Sequence, residues 1–304
     1  VIPGMIDSHL HGIRAGQTFG TEVNWIGAKS LDEALGRIRS AAQSVPAGQW
    51  LIVAGGWTER QFKENRVPTQ AELIAAAPNH PVYVQLFYQW ALLNPLGLKT
   101  LGIASDADLK LGARLERDAQ GNPTGVITGG AFAISGVFDR LPQPTLEQQA
   151  DGSRKFFREL NRLGLTGFAD PGGRNVYAKD YQAVQRLWQE KKLTVRIAYN
   201  LFTQKPKEEL KDFASWAGQV KPGQGDDTYR ANGAGEMARD LNALADRLVP
   251  DEAPRELEAT LFDPPDSSGH ESCFLDVARV ALRRVEDDFT RENADAAQVR
   301  HAIA

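Results

Sequence analysis

Apolar residues open the chain from Val1 to Ile6, then give way to the polar run Asp7-Ser-His-Leu-His11. That switch predicts a buried strand running into a polar site. Leu31, Ala34, Leu35 and Ile38 recur at helical spacing behind a Ser30/Glu33 capping-box pattern, which predicts a helix over 30–44. A short strand follows at 51–56. Thr69 and Glu72 form a second capping box and open a helix through about residue 77, and 81–87 is again strand-like. The turn Gln120-Gly-Asn-Pro123 between 114–118 and 124–128 predicts a hairpin. Thr145 and Gln148 cap a long helix ending near Gly164.

From there the rhythm changes. Strands at 166–171, 194–202 and 229–236 alternate with helices at 178–191 and 207–218. That alternation predicts an α/β fold around a parallel sheet, open or closed into a barrel. Beyond about residue 237 the strand signal fades, no lysine follows Lys221, and helical periodicity is confined to 275–285.

Composition narrows the class without naming a reaction. A chain of 304 residues with 42% hydrophobic and 24% charged residues is globular and long enough for a large core. The net charge of −4 gives no reason to expect nucleic acid or an anionic membrane surface as partner. One cysteine, Cys273, excludes an internal disulfide framework. There is no apolar run of about 20 residues and no signal-peptide pattern, so a cytoplasmic protein is expected. No Gly-rich phosphate loop follows a strand. Gly233-Ala-Gly-Glu236 lacks the third glycine of a dinucleotide fingerprint.

The candidate chemistry begins at His9 and His11. Two residues apart on a strand, their imidazoles point the same way and make half of a divalent-metal site. The pair alone does not choose between Zn, Mn, Fe and Ni. His-x-His is a weak signal in isolation, but here it sits in Val1-Ile-Pro-Gly-Met-Ile-Asp-Ser-His-Leu-His-Gly12. That run resembles the first barrel strand of the amidohydrolase superfamily. Gly55-Gly56-Trp57, Arg66-Val-Pro-Thr69, Ala91-Leu-Leu-Asn94, Asp118 with Gly125-Val126, Gly164-Leu-Thr-Gly-Phe-Ala-Asp170, Gly225-Asp-Asp-Thr-Tyr229 and Gly233-Ala-Gly-Glu236 extend the resemblance to amidohydrolase family 3.

The resemblance implies a metal-dependent hydrolase fold, a TIM-like (β/α)8 barrel with a flanking β-sandwich. One or two divalent ions, zinc foremost, would sit at the barrel mouth. It implies hydrolysis of a C–N bond, an amide or formamide, through a metal-activated water. His9 and His11 match the first two metal ligands. Glu236 matches the position of a carboxylated lysine or bridging glutamate. Asp7 is expected to orient an imidazole from behind. Trp57, Trp90 and Asn94 fall in the family's insert after the first strand, at about 50–145, where part of the substrate pocket is built, although packing is the commoner use of tryptophan. Asp170 ends a barrel strand and either reaches the site or caps a helix. His80 is read as a packing or surface histidine.

Three departures qualify that expectation. The chain starts at the first barrel strand. About four barrel strands are recognisable, and after Glu236 there is room for roughly two further strand–helix units at about 30 residues each. The strand-five and strand-six histidines and the strand-eight aspartate of the family therefore have no counterpart. His270 and His301 are read as surface residues, and Asp263, Asp266 and Asp276 are unsupported as the base. An incomplete barrel over 1–237 with a divergent segment over 238–304 is expected. So is an alternative function: a truncated, inactive remnant or scaffold. The expected partners are a small-molecule substrate and, if the barrel half needs completion, a second copy of the chain.

Overall fold

The structure, a computed structural model, describes residues 3–173, 175–202, 211–212, 215–216 and 219–235. These residues all fall within one unit of the chain, Val1–Asp240. They build two sheets. Strands β1 (Met5–Asp7), β7 (Leu165–Asp170), β8 (Arg196–Leu201) and β9 (Tyr229–Ala234) form the first, in that order and all parallel. The second contains β2 (Leu51–Val53), β3 (Val82–Leu86), β4 (Trp90–Leu93), β5 (Arg114–Arg117) and β6 (Pro123–Thr128). Its order is β2-β3-β4-β6-β5, with β2 and β3 parallel and the other pairs antiparallel.

The second sheet forms because its inner strands β3 and β4, with β2, are apolar on both faces. Leu51, Val53, Val82 and Val84 pack with Leu35 and Ile38 of helix α2 (Leu31–Ser44) and Leu73 of α3 (Gln70–Ala76). The alternate positions, Tyr83 and Leu93 among them, pack with Leu98 of α4 (Pro95–Thr100) and Ile134 of α5 (Ala131–Phe138). Period-two alternation thus feeds two cores, one on each side. The caps read from the sequence hold: Ser30 Oγ accepts from the Glu33 N–H at 3.2 Å, and Thr69/Glu72 and Thr145/Gln148 are reciprocal boxes.

The parallel sheet is covered by α1 (Gly12–Phe19), α6 (Leu146–Arg162) and α7 (Gln182–Gln189). Phe157, Leu160, Phe168, Val184, Leu187 and Ile197 form its core. Helix α1 lies against α6 at very short range because the crossing is lined by small residues. A Cβ on Gly16 would come within 2.7 Å of Ser153 Oγ, and one on Gly152 within 2.5 Å of the Gly16 carbonyl.

Among the described residues the parallel sheet has four strands, the number read from the sequence, and is open. Other expectations need correction. The opening strand is predicted to be buried, yet Met5 is 52% and Ile6 68% exposed. The reason is its position: β1 lies at the sheet edge and pairs only with β7 among the described strands. It also stops at Asp7, before the histidines. The strand expected at 51–56 is shorter, Leu51–Val53. The hydrophobic pattern does not reveal α1, α4, α5 or β4. Most of the helix expected at 207–218 and all of 236–304 lie outside the described residues.

Asn94 ties the second sheet to the helix that follows it. Its Oδ1 accepts from the Gly97 N–H (2.8 Å) at the start of α4 and from the Val82 N–H (3.0 Å), while Nδ2 donates to the His80 carbonyl (2.8 Å). All three bonds are buried. Replacing Asn94 by Ala removes the cap and strands the Val82 N–H, so a loss of about 3 kcal/mol is expected in urea unfolding. A loss below about 1 kcal/mol would contradict this role.

At the start of α3, Arg66 grips the Glu72 carboxylate with two hydrogen bonds of 2.9 and 2.7 Å. That grip, helped by the Thr69 N–H and hydroxyl, holds the carboxyl down to about 2 from its usual 4.5. A carboxyl whose pKa falls on folding adds stability above its unfolded pKa and loses it as pH drops. The contribution is therefore full above about 5 and vanishes as pH falls toward 2. Arg66 is half exposed, so the gain is about 1 kcal/mol or less. The Glu72→Gln variant is expected to show a shallower fall in stability between pH 5 and pH 2, measured by denaturant titration.

Candidate metal centre

Parallel pairing brings the C-terminal ends of β1, β7, β8 and β9 to one edge, where open α/β sheets place their ligands. His9 and His11 lie beyond the end of β1, in the link to α1. Their closeness therefore does not come from strand alternation. It comes from a pinned turn. The Asp7 Oδ1 accepts the His9 backbone N–H at 2.9 Å, bending the chain out of the strand. The Leu10 N–H then donates to the Ala169 carbonyl of β7 at 3.0 Å. The two imidazoles meet edge to face, with ring centroids 5.4 Å apart and planes at 88°.

Asp170 completes the frame. Fully buried at the end of β7, its Oδ2 accepts the Ile13 N–H (2.8 Å) and its Oδ1 the Gly172 N–H (2.9 Å). It thus caps the N-terminus of α1, whose own N-cap residue, His11, supplies no side-chain cap. Of the two roles expected for Asp170, helix capping is the one these bonds show. The His11 ring rests on Gly173, where a Cβ would come within 2.7 Å of Nδ1.

The insert residues separate into different roles. Trp57 is buried, donates Nε1–H to the Gln85 carbonyl at 3.0 Å and packs with Trp25, Phe62 and Trp90. It also lines a cavity of about 440 Å³ with Gly55, Gly56, Gln85, Phe87 and Tyr88. Trp90 and Asn94 do not line that cavity: Trp90 packs on the aromatic core and Asn94 is the buried cap described above. His80 is buried and its Nδ1 lies 3.0 Å from the Gln49 carbonyl, so it is a packing residue. Glu236, with His270, His301, Asp263, Asp266 and Asp276, lies outside the described residues. Among the described residues, no cluster of three metal-ligating side chains is present.

Sequence reasoning missed one wall of the site. A second cavity, about 220 Å³, lies between α1 and the chain that leaves β2. His11, Arg14, Thr18 and Glu22 line it from one side, Gly55, Gln85 and Tyr88 from the other. The available signal was spacing: from His11, steps of three, four and four reach Arg14, Thr18 and Glu22, one face of a helix and its exit.

Gly173 combines that close approach to His11 with a left-handed backbone, φ +61°. Gly173→Ala is expected to cost about 1–2 kcal/mol in backbone strain and to displace the His11 ring as well. Gly223→Ala is the control, because Gly223 has φ +80° with open space around it. Imidazole NMR signals of His11 should move only in the Gly173 variant; unmoved signals there would separate the ring from this glycine.

Comparison with known proteins bears on this arrangement. The model of the family described as "Amidohydrolase family" matches residues 1–262, past the boundary expected near residue 237. The chain is 27% identical over 174 residues to N-substituted formamide deformylase of Arthrobacter pascens, covering 56% of this chain and 32% of that protein. It is 31% identical over 135 residues to Protein LONG AFTER FAR-RED 3 of Arabidopsis thaliana, covering 44% and 23%. The chain thus spans a third or less of these curated relatives. An uncharacterized metal-dependent hydrolase of Pyrococcus horikoshii resembles it with a TM-score of 0.48 at 20% identity, over 76% of this chain and 42% of that one. Among the described residues no helix is long and apolar enough to cross a membrane. With the family model matching well over half its length, the chain belongs to the amidohydrolase family.

Proposed function

We propose that this chain contributes the first two ligands of a divalent-metal centre that hydrolyses a C–N bond of a small amide or formamide. The observation that carries the reading is the meeting of His9 and His11 at the C-terminal edge of the parallel sheet. A centroid separation of 5.4 Å is one that two imidazoles can keep while reaching the same ion, with nitrogens about 2.0–2.1 Å from it. The bare backbone of Gly173 leaves the room that the His11 ring occupies. The donor set is half of a zinc-type site, and manganese, iron or nickel would also accept it. Glu236 follows Gly235, whose N–H donates to the Leu201 carbonyl at 2.7 Å, and its place as a further ligand belongs to this proposal. So does the choice between one ion and two.

A divalent ion held there supplies a Lewis acid for a scissile carbonyl and lowers the pKa of water. The chain's own residues do the holding and positioning. Asp7 fixes the backbone of His9, and Asp170 fixes the start of α1 behind His11. The cavity beside His11, and the adjoining one that Trp57 lines, offer apolar and aromatic surface for the rest of a substrate. The name of the Arthrobacter pascens relative supports N-substituted formamides as the first substrates to try.

The test is metal content and turnover together. After incubation with Zn or Mn, the full chain should bind metal and release formate from N-substituted formamides. His9→Ala and His11→Ala should each weaken metal binding at least about tenfold and abolish turnover. Full metal retention in both variants overturns the ligand assignment. A folded chain with neither metal nor turnover supports the inactive scaffold instead.

A further inference from the structure

The cavity between α1 and the second sheet holds a cation that pairs with no carboxylate among the described residues. Arg14 stands one helical turn from His11, on the same face, and lines this cavity. Its guanidinium stacks over the Phe138 ring at 5.0 Å from the centroid. Among the described residues Arg14 makes no hydrogen bond and no ion pair within 4 Å. A half-buried guanidinium carries five donors in a fixed fork, and that fork fits a carboxylate with two parallel bonds. The contact with Phe138 holds the guanidinium against the cavity wall, and no protein group among the described residues takes its N–H donors, so less ordering remains for a ligand to impose.

Phe19, Ile26, Phe156 and Tyr88 give the cavity an apolar and aromatic flank, with Asn24 and Gln85 as the uncharged polar groups of the opposite wall. Glu22 also lines the cavity and feels the charge of Arg14, but it makes no ion pair with it within 4 Å; Thr18 and the Ala54 N–H bond its carboxyl instead. Burial raises the Glu22 pKa against those bonds and against the pull of Arg14.

We infer that Arg14 is a specificity-determining residue that anchors a carboxylate on the substrate, so the preferred amides are anionic compounds with an apolar or aromatic flank. The inference rests on the proposed hydrolase reading only for the word substrate; the anchoring itself is a binding property. Three helical residues span about 4.5 Å along the axis, which sets the carboxylate close to the group held near His11.

Binding and turnover are measured separately in the full chain. By calorimetry, 3-phenylpropanoate should bind at least about tenfold more tightly than the uncharged 3-phenylpropanamide. Arg14→Gln should erase that preference and Arg14→Lys should keep part of it, as a point charge replaces the fork. In the wild type the preference should shrink with rising salt. In parallel, N-formyl-phenylalanine should be hydrolysed with a lower KM than its C-terminal amide in the wild type but not in Arg14→Gln, with kcat similar in both proteins. Equal binding of the two phenylpropanoyl compounds, or a preference untouched in Arg14→Gln, overturns the anchor. Should the charge preference follow Arg14 while no formyl compound turns over, the anchor stands and the hydrolase reading fails. Equal turnover of both formyl compounds in wild type and variant means the reverse: hydrolysis stands and the anchor fails. If Arg14→Gln does not fold, the ligand pair and salt series on wild type and Arg14→Lys decide.

Discussion

The geometry of the site depends on one buried carboxylate. Asp170 sits at the end of a central strand and receives the first free N–H of α1 as well as an N–H of its own loop. A negative group at a helix N-terminus meets unpaired donors and the positive end of the helix dipole. The bond fixes where α1 starts, and His11 is the residue immediately before that start. From there α1 is pressed onto α6 through Gly16, Gly152 and Ser153, a crossing too tight for larger side chains. The position of one imidazole and the direction of Arg14 follow from these two constraints.

How much of this is legible in the sequence varies with the range of the interaction. Helices α2, α3 and α6 can be read because their caps lie three residues from their partners. Helix α1 cannot, because its cap comes from a residue 157 positions away. The His9/His11 pair is legible as a pair, but the mechanism that aligns it is not. An Asx turn at Asp7 and a bond to Ala169 replace strand alternation. The exposure of β1 is hidden for a related reason. Its apolar residues match those of a buried strand, and burial depends on what lies alongside, which a short pattern does not encode.

The insert shows the same limit from the other side. Trp57, Trp90 and Asn94 carry residue types that suit either a binding pocket or a packed framework. Tertiary contacts divide them: Trp57 packs in the framework and lines a cavity, Trp90 joins the aromatic cluster, and Asn94 ties β3 to α4. Arg14 has only its helical phase with His11 to distinguish it from a solvated surface residue. That no acidic partner among the described residues reaches it becomes visible only in three dimensions.

The cavity beside His11 has two owners. One wall belongs to the helix that follows the histidine pair, and the other to loops of the separate mixed sheet. Substitutions at Gly55, Gln85 or Tyr88 therefore reshape the chamber without passing through the framework that aligns the imidazoles. Such a split lets the chamber change shape during evolution, or be recut by an engineer, while the histidine pair keeps its place.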